Sequence, residues 1–199
     1  MLELMAKMPW MIFRYARQMA GLHAQIHSIE TDSIPEQKQS LEFFIKRIEN
    51  ISNEEKEIIL SYLNSLEIKK FLCHGDFHPD NVLISGGKPY IIDWMTAVSG
   101  NPEADLARSI VMLKYGKLPP QVPFLTRTLL YTFKSLYCNL YVKYYRELTG
   151  ISMDAVEKWF LPVAAARLNE YLFDKEKKAL VKLIKRDIKK IRKQLQAAL

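Results

Sequence analysis

The stretch FLCHGDFHPDNVLISGGKPYIIDW, Phe71 to Trp94, puts two His, three Asp and one Asn among strand-sized apolar runs. KFLCHGD reads as a short strand entering a loop. NVLI and PYIID read as two strands, with SGGK between them and Gly86 and Gly87 making the turn. A hairpin folds its far end back beside its start, so Asp93 returns to the neighbourhood of Asn81. Asp76, Asn81 and Asp93 then converge from three backbone segments. Two carboxylates and an amide oxygen suit a hard divalent cation such as Mg²⁺, which takes one or two carboxylates and leaves room for phosphate oxygens. An Asp left on the loop can accept a proton from an attacking hydroxyl.

On either side the pattern is helical. After Pro9 a helical spacing runs through WMIFRYARQMAGLHAQIHSI, and another helix fits PEQKQSLEFFIKRIEN. A third begins at Ser52, where Glu55 three residues on completes a capping-box signature. Beyond the hairpin, Leu106 to Lys114 is helical and stops near Gly116, and GKLPPQVP is a rigid connection. A long helix spans roughly Phe124 to Leu148, with Gly150 as its stop. Ser152 caps the next helix, which Pro162 should kink or break. In the tail, Leu180, Leu183, Ile184, Ile188, Ile191 and Leu195 recur at helical spacing under a basic outer face. The expected fold is therefore mainly α with a small β-hairpin (α+β), in a single unit over residues 1–199. Residues 1–70 form a helical part, 71–98 the loop and hairpin, and 99–199 a second helical part.

The bulk numbers fit a folded globular chain: 199 residues, 49% hydrophobic and 26% charged. No apolar run approaches the ~20 residues of a membrane span, and the Met-rich start lacks a basic region and a cleavage site. Cys73 and Cys138 are read as free thiols, which points to the cytoplasm. The net charge of +7 is concentrated in the tail, read as the solvated face of a docked helix. No membrane partner is expected, and nucleic acid is not favoured as one.

HGDFHPDNVLI, followed by IIDW and GNPEADLAR, resembles the aminoglycoside phosphotransferase and choline kinase group of kinase-like enzymes. His74, Gly75, Asp76 and Asn81 match that family's H-G-D-x-x-x-x-N. Asp93 matches its metal-binding Asp, and Pro102, Asp105, Leu106 and Ala107 match P-x-x-D-L-A. MAGLHAQIHSI is similar to its L-x-x-L-H helix and PVAAARLNEYL to its late Ala/Arg-rich helix. The resemblance implies an ATP-dependent phosphotransferase acting on a small hydroxylated acceptor. Asp76 would be the catalytic base, and Asn81 and Asp93 would hold Mg²⁺ on the ATP phosphates. His74 and Asp105 would support the loop. His78 either touches phosphate or hydrogen-bonds within the loop. The acceptor would be set by residues 37–65 and 126–171, where Glu147, Asp154, Glu157 and Glu170 offer charges for a cationic aminoglycoside or choline-like substrate, although ordinary surface charge is the reading preferred. Met95 stands where protein kinases carry the Gly of D-F-G.

Kinase-like transfer also needs a β-rich nucleotide lobe with a Gly-rich loop and a Lys, and there is no room for one before Trp10. The expectation is a C-terminal lobe with the N-terminal nucleotide lobe absent, weak in nucleotide binding and negligible in turnover by itself. Its apolar start, MLELMAKMPWMIF, would offer surface for a homodimer. The alternative is a non-catalytic kinase-like binding module. A metal phosphoesterase would need more His and Asp ligands than the four His allow. His23 and His27, four apart, have the geometry of a zinc pair, but no third ligand is evident, and packing with hydrogen bonding is the reading adopted. Asp80, beside Pro79, reads as a turn residue.

Overall fold

The computed structural model describes residues 5, 7–116 and 124–197, with backbone alone for 124–129 and 194–197. A 3₁₀ turn at Pro9–Met11 leads into α1 (Ile12–Ile26), followed by α2 (Gln37–Lys46) and α3 (Asn53–Ser65). Next come β1 (Phe71–Cys73), β2 (Val82–Ser85), β3 (Lys88–Ile91) and β4 (Val98–Gly100). The chain closes with α4 (Pro102–Tyr115), α5 (Phe124–Thr149), α6 (Met153–Glu157), α7 (Phe160–Arg167) and α8 (Asp174–Ala197). The expected GKLPPQVP connection lies mostly outside the described residues.

Local signals account for most boundaries. Ser52 accepts from Glu55 N at 3.2 Å while the Glu55 carboxylate takes Ser52 N at 2.9 Å, closing the capping box of α3. Gly150 has φ 73° beyond the end of α5, a conformation that costs glycine little. The break ascribed to Pro162 comes earlier, at Lys158–Trp159, and Pro162 sits in the first turn of α7, where its missing N–H costs nothing. α2 is shorter than its sequence pattern. α4 begins at Pro102 rather than Leu106, for the same first-turn reason.

β2 and β3 form the expected antiparallel hairpin, Val82 opposite Ile91 and Ser85 opposite Lys88, turning through Gly86 and Gly87 at φ 55° and 76°. A second two-stranded sheet was not foreseen. β1 pairs antiparallel with β4, Phe71 opposite Gly100 and Cys73 opposite Val98. This pairing crosses the boundary expected at residue 98. It brings the strand entering the loop beside the strand leaving the hairpin, so the loop and hairpin are clamped at one end.

The core runs through the helices. α1 packs lengthwise on α5, where Tyr137, Tyr141 and Tyr145 are buried at four-residue intervals. His23 pairs with Tyr141 and His27 with Tyr145, so the two helices run parallel. α7 and α8 pack on each other, and α7 also meets α2 and α4. Met5 is buried, so the apolar start is not wholly exposed, although Trp10 and Phe13 are.

On α8, Leu180, Leu183, Ile184 and Ile188 are buried, and every exposed position from 175 to 193 is Lys or Arg. The side chain of Leu195 lies outside the described residues. Arg167 anchors this helix through Glu176 Oε1, at 2.8 Å from Nη2. Among the described residues no helix is long and apolar enough to cross a membrane. Replacing Ile184 by Ala should lower unfolding stability by about 2–5 kcal/mol in urea titration, and Lys182→Ala should change it by less than about 0.5 kcal/mol. Equal effects would contradict the docked arrangement.

Candidate active site

The loop from His74 to Asn81 hangs on one buried carboxylate. Asp105, on α4, accepts His74 N at 2.7 Å through Oδ2 and Gly75 N at 2.9 Å through Oδ1. The same Oδ2 lies 3.1 Å from His23 Nε2 and 3.1 Å from His27 Nε2. Each imidazole meets a tyrosine hydroxyl at Nδ1: Tyr141 at 2.5 Å and Tyr145 at 2.6 Å. The network assigns the protons. Each hydroxyl donates to Nδ1, and each Nε2–H donates to Asp105.

Burial, then the neighbouring His27, hold His23 neutral, lowering its pKa to about 3 against Asp105's contrary pull. Burial alone would raise Asp105, but its bonds to His23 and His27 outweigh that and hold it well below the usual carboxylate range. The third group that the His23–His27 pair lacked in sequence is thus Asp105, with ligating atoms within 4.8 Å of one another. Every imidazole nitrogen is already committed to a hydrogen bond, so the trio is a proton-satisfied brace, and neither ring offers a metal a free lone pair.

Gly75 sits at φ 77°, and a β-carbon there would collide with the Thr96 carbonyl. The glycine therefore lets the loop press against the turn after the hairpin, where Thr96 Oγ1 donates to His74 O at 3.1 Å. His74 is fully buried, with Nε2 3.0 Å from Ile92 O. Ser109 donates to Phe77 O at 2.7 Å, a second tie from α4 to the loop. The buried Tyr141 phenol is also raised well above its ordinary value, chiefly by desolvation.

Asp76 and Asn81 are brought together. The Asn81 amide donates to Asp76 O at 2.8 Å and to Asp76 Oδ2 at 3.1 Å, which leaves its Oδ1 as the group able to ligate a cation. Asp93 follows the hairpin. Ile92 N donates to Asn81 O at 3.0 Å, which ties the backbone before Asp93 to that of Asn81. Asp93 has φ 62°, the left-handed region that non-glycine residues enter only with local support. It is exposed, and its carboxylate has no hydrogen-bond or ion-pair partner among the described residues.

His78 lies between two carboxylates, Nε2 3.4 Å from Asp76 Oδ2 and Nδ1 3.5 Å from Asp80 Oδ2. Burial opposes its charge, but the bonds to Asp76 and Asp80 prevail and raise its pKa to about 9. Burial would raise Asp76, yet His78, then Arg108 and Asn81, hold it below its ordinary value. Asp80, read from sequence only as a turn residue, is a partner of this imidazolium.

Arg108 went unremarked in the sequence, although it closes the quoted GNPEADLAR. Its Nε donates to Gly75 O, Nη2 lies 3.6 Å from Asp76 Oδ1, and Nη1 meets Glu170 at 2.7 Å. Glu170 also takes Arg167 at 2.5 Å. It is therefore part of an ion chain beside Asp76, and not an isolated surface charge.

Two cavities flank Asp76. One of 320 Å³ lies between the loop, α2 and α7, and includes Phe44, Thr96, Arg108 and Glu170. The other, of 410 Å³, lies against α4 and α5, and includes His78, Asp80, Phe133 and Tyr137. A larger cavity of 590 Å³ around Asp154, Glu157 and α8 includes none of the loop residues.

The sequence profile of the phosphotransferase enzyme family matches residues 12–129, which hold the loop, the hairpin and Asp105. The chain belongs to the phosphotransferase enzyme family. Among curated proteins none matches it. In fold it is similar to amicoumacin kinase hAmiN, solved in complex with AMP-PNP, Ca²⁺ and Ami, with a TM-score of 0.53 at 14% identity. The likeness covers 92% of this chain and 59% of that one, so the chain spans about three fifths of the solved kinase. The mostly helical body with two small antiparallel sheets is thus kinase-like, and the phosphotransferase resemblance holds at the level of the family.

Acid should weaken the fold through His23. The unfolded imidazole takes a proton near 6.5 and the folded one only near 3, so the unfolded chain binds more protons between those values. Stability present above pH 6.5 is lost as the pH falls, by about 2 kcal/mol at pH 5. His78 has the opposite sign, its contribution fading as the pH rises from 6.5 through about 9. Urea unfolding at pH 7 and pH 5 should show the acid loss, and His23→Gln should flatten it. An unchanged profile in that variant would sink the assignment.

Proposed function

We propose that this chain is the C-terminal, catalytic lobe of an ATP-dependent phosphotransferase that modifies a hydroxyl group on a small molecule. The observation that carries the reading is the joint placement of Asp76, Asn81 and Asp93. Asp76 and Asn81 are hydrogen-bonded to each other, and the hairpin ties the segment bearing the unpartnered Asp93 to Asn81.

The donor set fits a hard divalent cation, read as Mg²⁺: Asn81 Oδ1 and the Asp93 carboxylate would hold it, with phosphate oxygens completing its shell. Bound there, the metal would neutralise charge on the phosphates of ATP. The remaining work belongs to the chain. Asp76, ionised at neutral pH, orients the acceptor O–H and receives its proton as the oxygen–phosphorus bond forms and the bond to the leaving ADP breaks. His78, as imidazolium, faces the same space and can pair with a phosphate oxygen. His74 and Asp105 act through backbone, holding the loop so that Asp76 need not reorganise during transfer. A separate β-rich lobe would supply the adenine roof and the phosphate-gripping Lys. Two buried free thiols agree with a cytoplasmic setting.

Titration of the isolated chain with MgATP should give weak binding that Asn81→Ala and Asp93→Ala abolish and Asp76→Asn retains. In a protein that joins this chain to a nucleotide lobe, Asp76→Asn should lower kcat by about 10²–10⁴-fold. Brisk turnover by the isolated chain would overturn the lobe assignment. Unaltered activity in Asp76→Asn or Asp93→Ala would overturn the phosphotransfer reading.

A further inference from the structure

The acceptor's chemical class is legible in the walls around Asp76. A polycationic acceptor needs uncompensated carboxylates, and the four acidic residues that the sequence offered do not provide them. Glu147 pairs with Lys143 at 3.8 Å, and Glu170 is held by Arg108 and Arg167. Asp154 and Glu157 line the separate 590 Å³ cavity. Among the described residues the carboxylates of the 410 Å³ cavity are Asp76 and Asp80, and the His78 ring stands between them, 3.4 Å from Asp76 and 3.5 Å from Asp80. Lys134 and Arg167 add positive charge to the same wall.

The rest of that wall is apolar, with Met5, Met112, Leu113, Leu130 and Phe133. Tyr137 also lines the cavity. It is 1% exposed, and its hydroxyl has no hydrogen-bond partner among the described residues. A buried hydroxyl without a partner is an unmet demand that a ligand oxygen can satisfy.

We infer that the 410 Å³ cavity beside Asp76 takes a largely apolar, hydroxylated acceptor without multiple positive charges. Its ring or chain lies on Phe133 and Leu130, and an oxygen of the acceptor reaches the Tyr137 hydroxyl. The inference rests on Asp76 as the group that meets the acceptor. The apolar wall recognises the body of the molecule, and the loop recognises its reacting hydroxyl.

The test uses the 199-residue chain with two probes, 2-(4-methoxyphenyl)ethanol and the polycation kanamycin, followed by ligand-observed and aromatic-resolved NMR. The neutral probe should bind saturably. Phe133→Ala should weaken it about tenfold, and the isosteric Tyr137→Phe roughly three- to tenfold. Without ligand, Tyr137→Phe should melt no lower than the parent, because it removes an unsatisfied group, so weakened binding cannot be blamed on misfolding. Kanamycin at equal concentration should leave the Phe133 and Tyr137 signals unmoved.

Saturable kanamycin binding that Asp80→Asn abolishes would overturn the inference, as would neutral-probe binding indifferent to both cavity variants. The outcome separates from that of the function itself. Probe binding is read without nucleotide or phosphate transfer, so a phosphotransfer reading that failed would leave this binding intact, and the reverse also holds.

Discussion

One buried carboxylate sets the geometry of everything near it. Asp105 receives four N–H donors in a place that water does not reach: two from helix α1 and two from the backbone of the loop. A charge so enclosed is costly unless every lone pair is used, and here the donors that make it tolerable also fix the loop. Asp76 lies one residue beyond the second backbone donor, so its position follows from Asp105 more than from any contact of its own side chain. Gly75 completes the constraint by letting the loop approach Thr96 where a side chain would not fit.

Around Asp76 the electrostatics are balanced and not concentrated. Arg108 faces one of its oxygens and His78 the other, and Arg108 passes the charge on to Glu170, Arg167 and Glu176. The chain of ions reaches from the loop to α8, so the tail helix is tied to the loop through α7. The same pairing removes Glu170 from the pool of free negative charge. That matters more for what the site can accept than the net charge of the whole molecule.

Much of this could be read from the residues before any coordinates. The hairpin, its turn, the capping box of α3, the stop at Gly150 and the amphipathic α8 all rest on local signals: glycines where φ is positive, Ser with Glu three residues on, and apolar residues at helical spacing. The closeness of Asp76 and Asn81 followed from their spacing on one loop. What could not be read depends on contacts between residues distant in sequence. The pairing of β1 with β4 links segments too short to show a period. His23 and His27 lacked a visible third partner because Asp105 lies about eighty positions away. Tyr141 and Tyr145 sit on a helix crowded with aromatic residues, where the sequence does not distinguish a hydrogen-bond partner of an imidazole from plain core. Arg108 carried no local signal, since an Arg on a helix is ordinary until its neighbours in space are known.

The two His–Tyr rungs between α1 and α5 have a mechanical meaning. Both join residues 118 positions apart, one helical turn separating them, so they mesh like teeth on parallel racks. A one-residue slip would disengage both teeth, so any shift would have to jump a whole turn, which idles one tooth or, in the other direction, brings Tyr137 to His23. The long helix can therefore pivot or bend against its neighbour but cannot glide along it, and its tyrosines keep a fixed address relative to the loop whatever occupies the cavity at its other end.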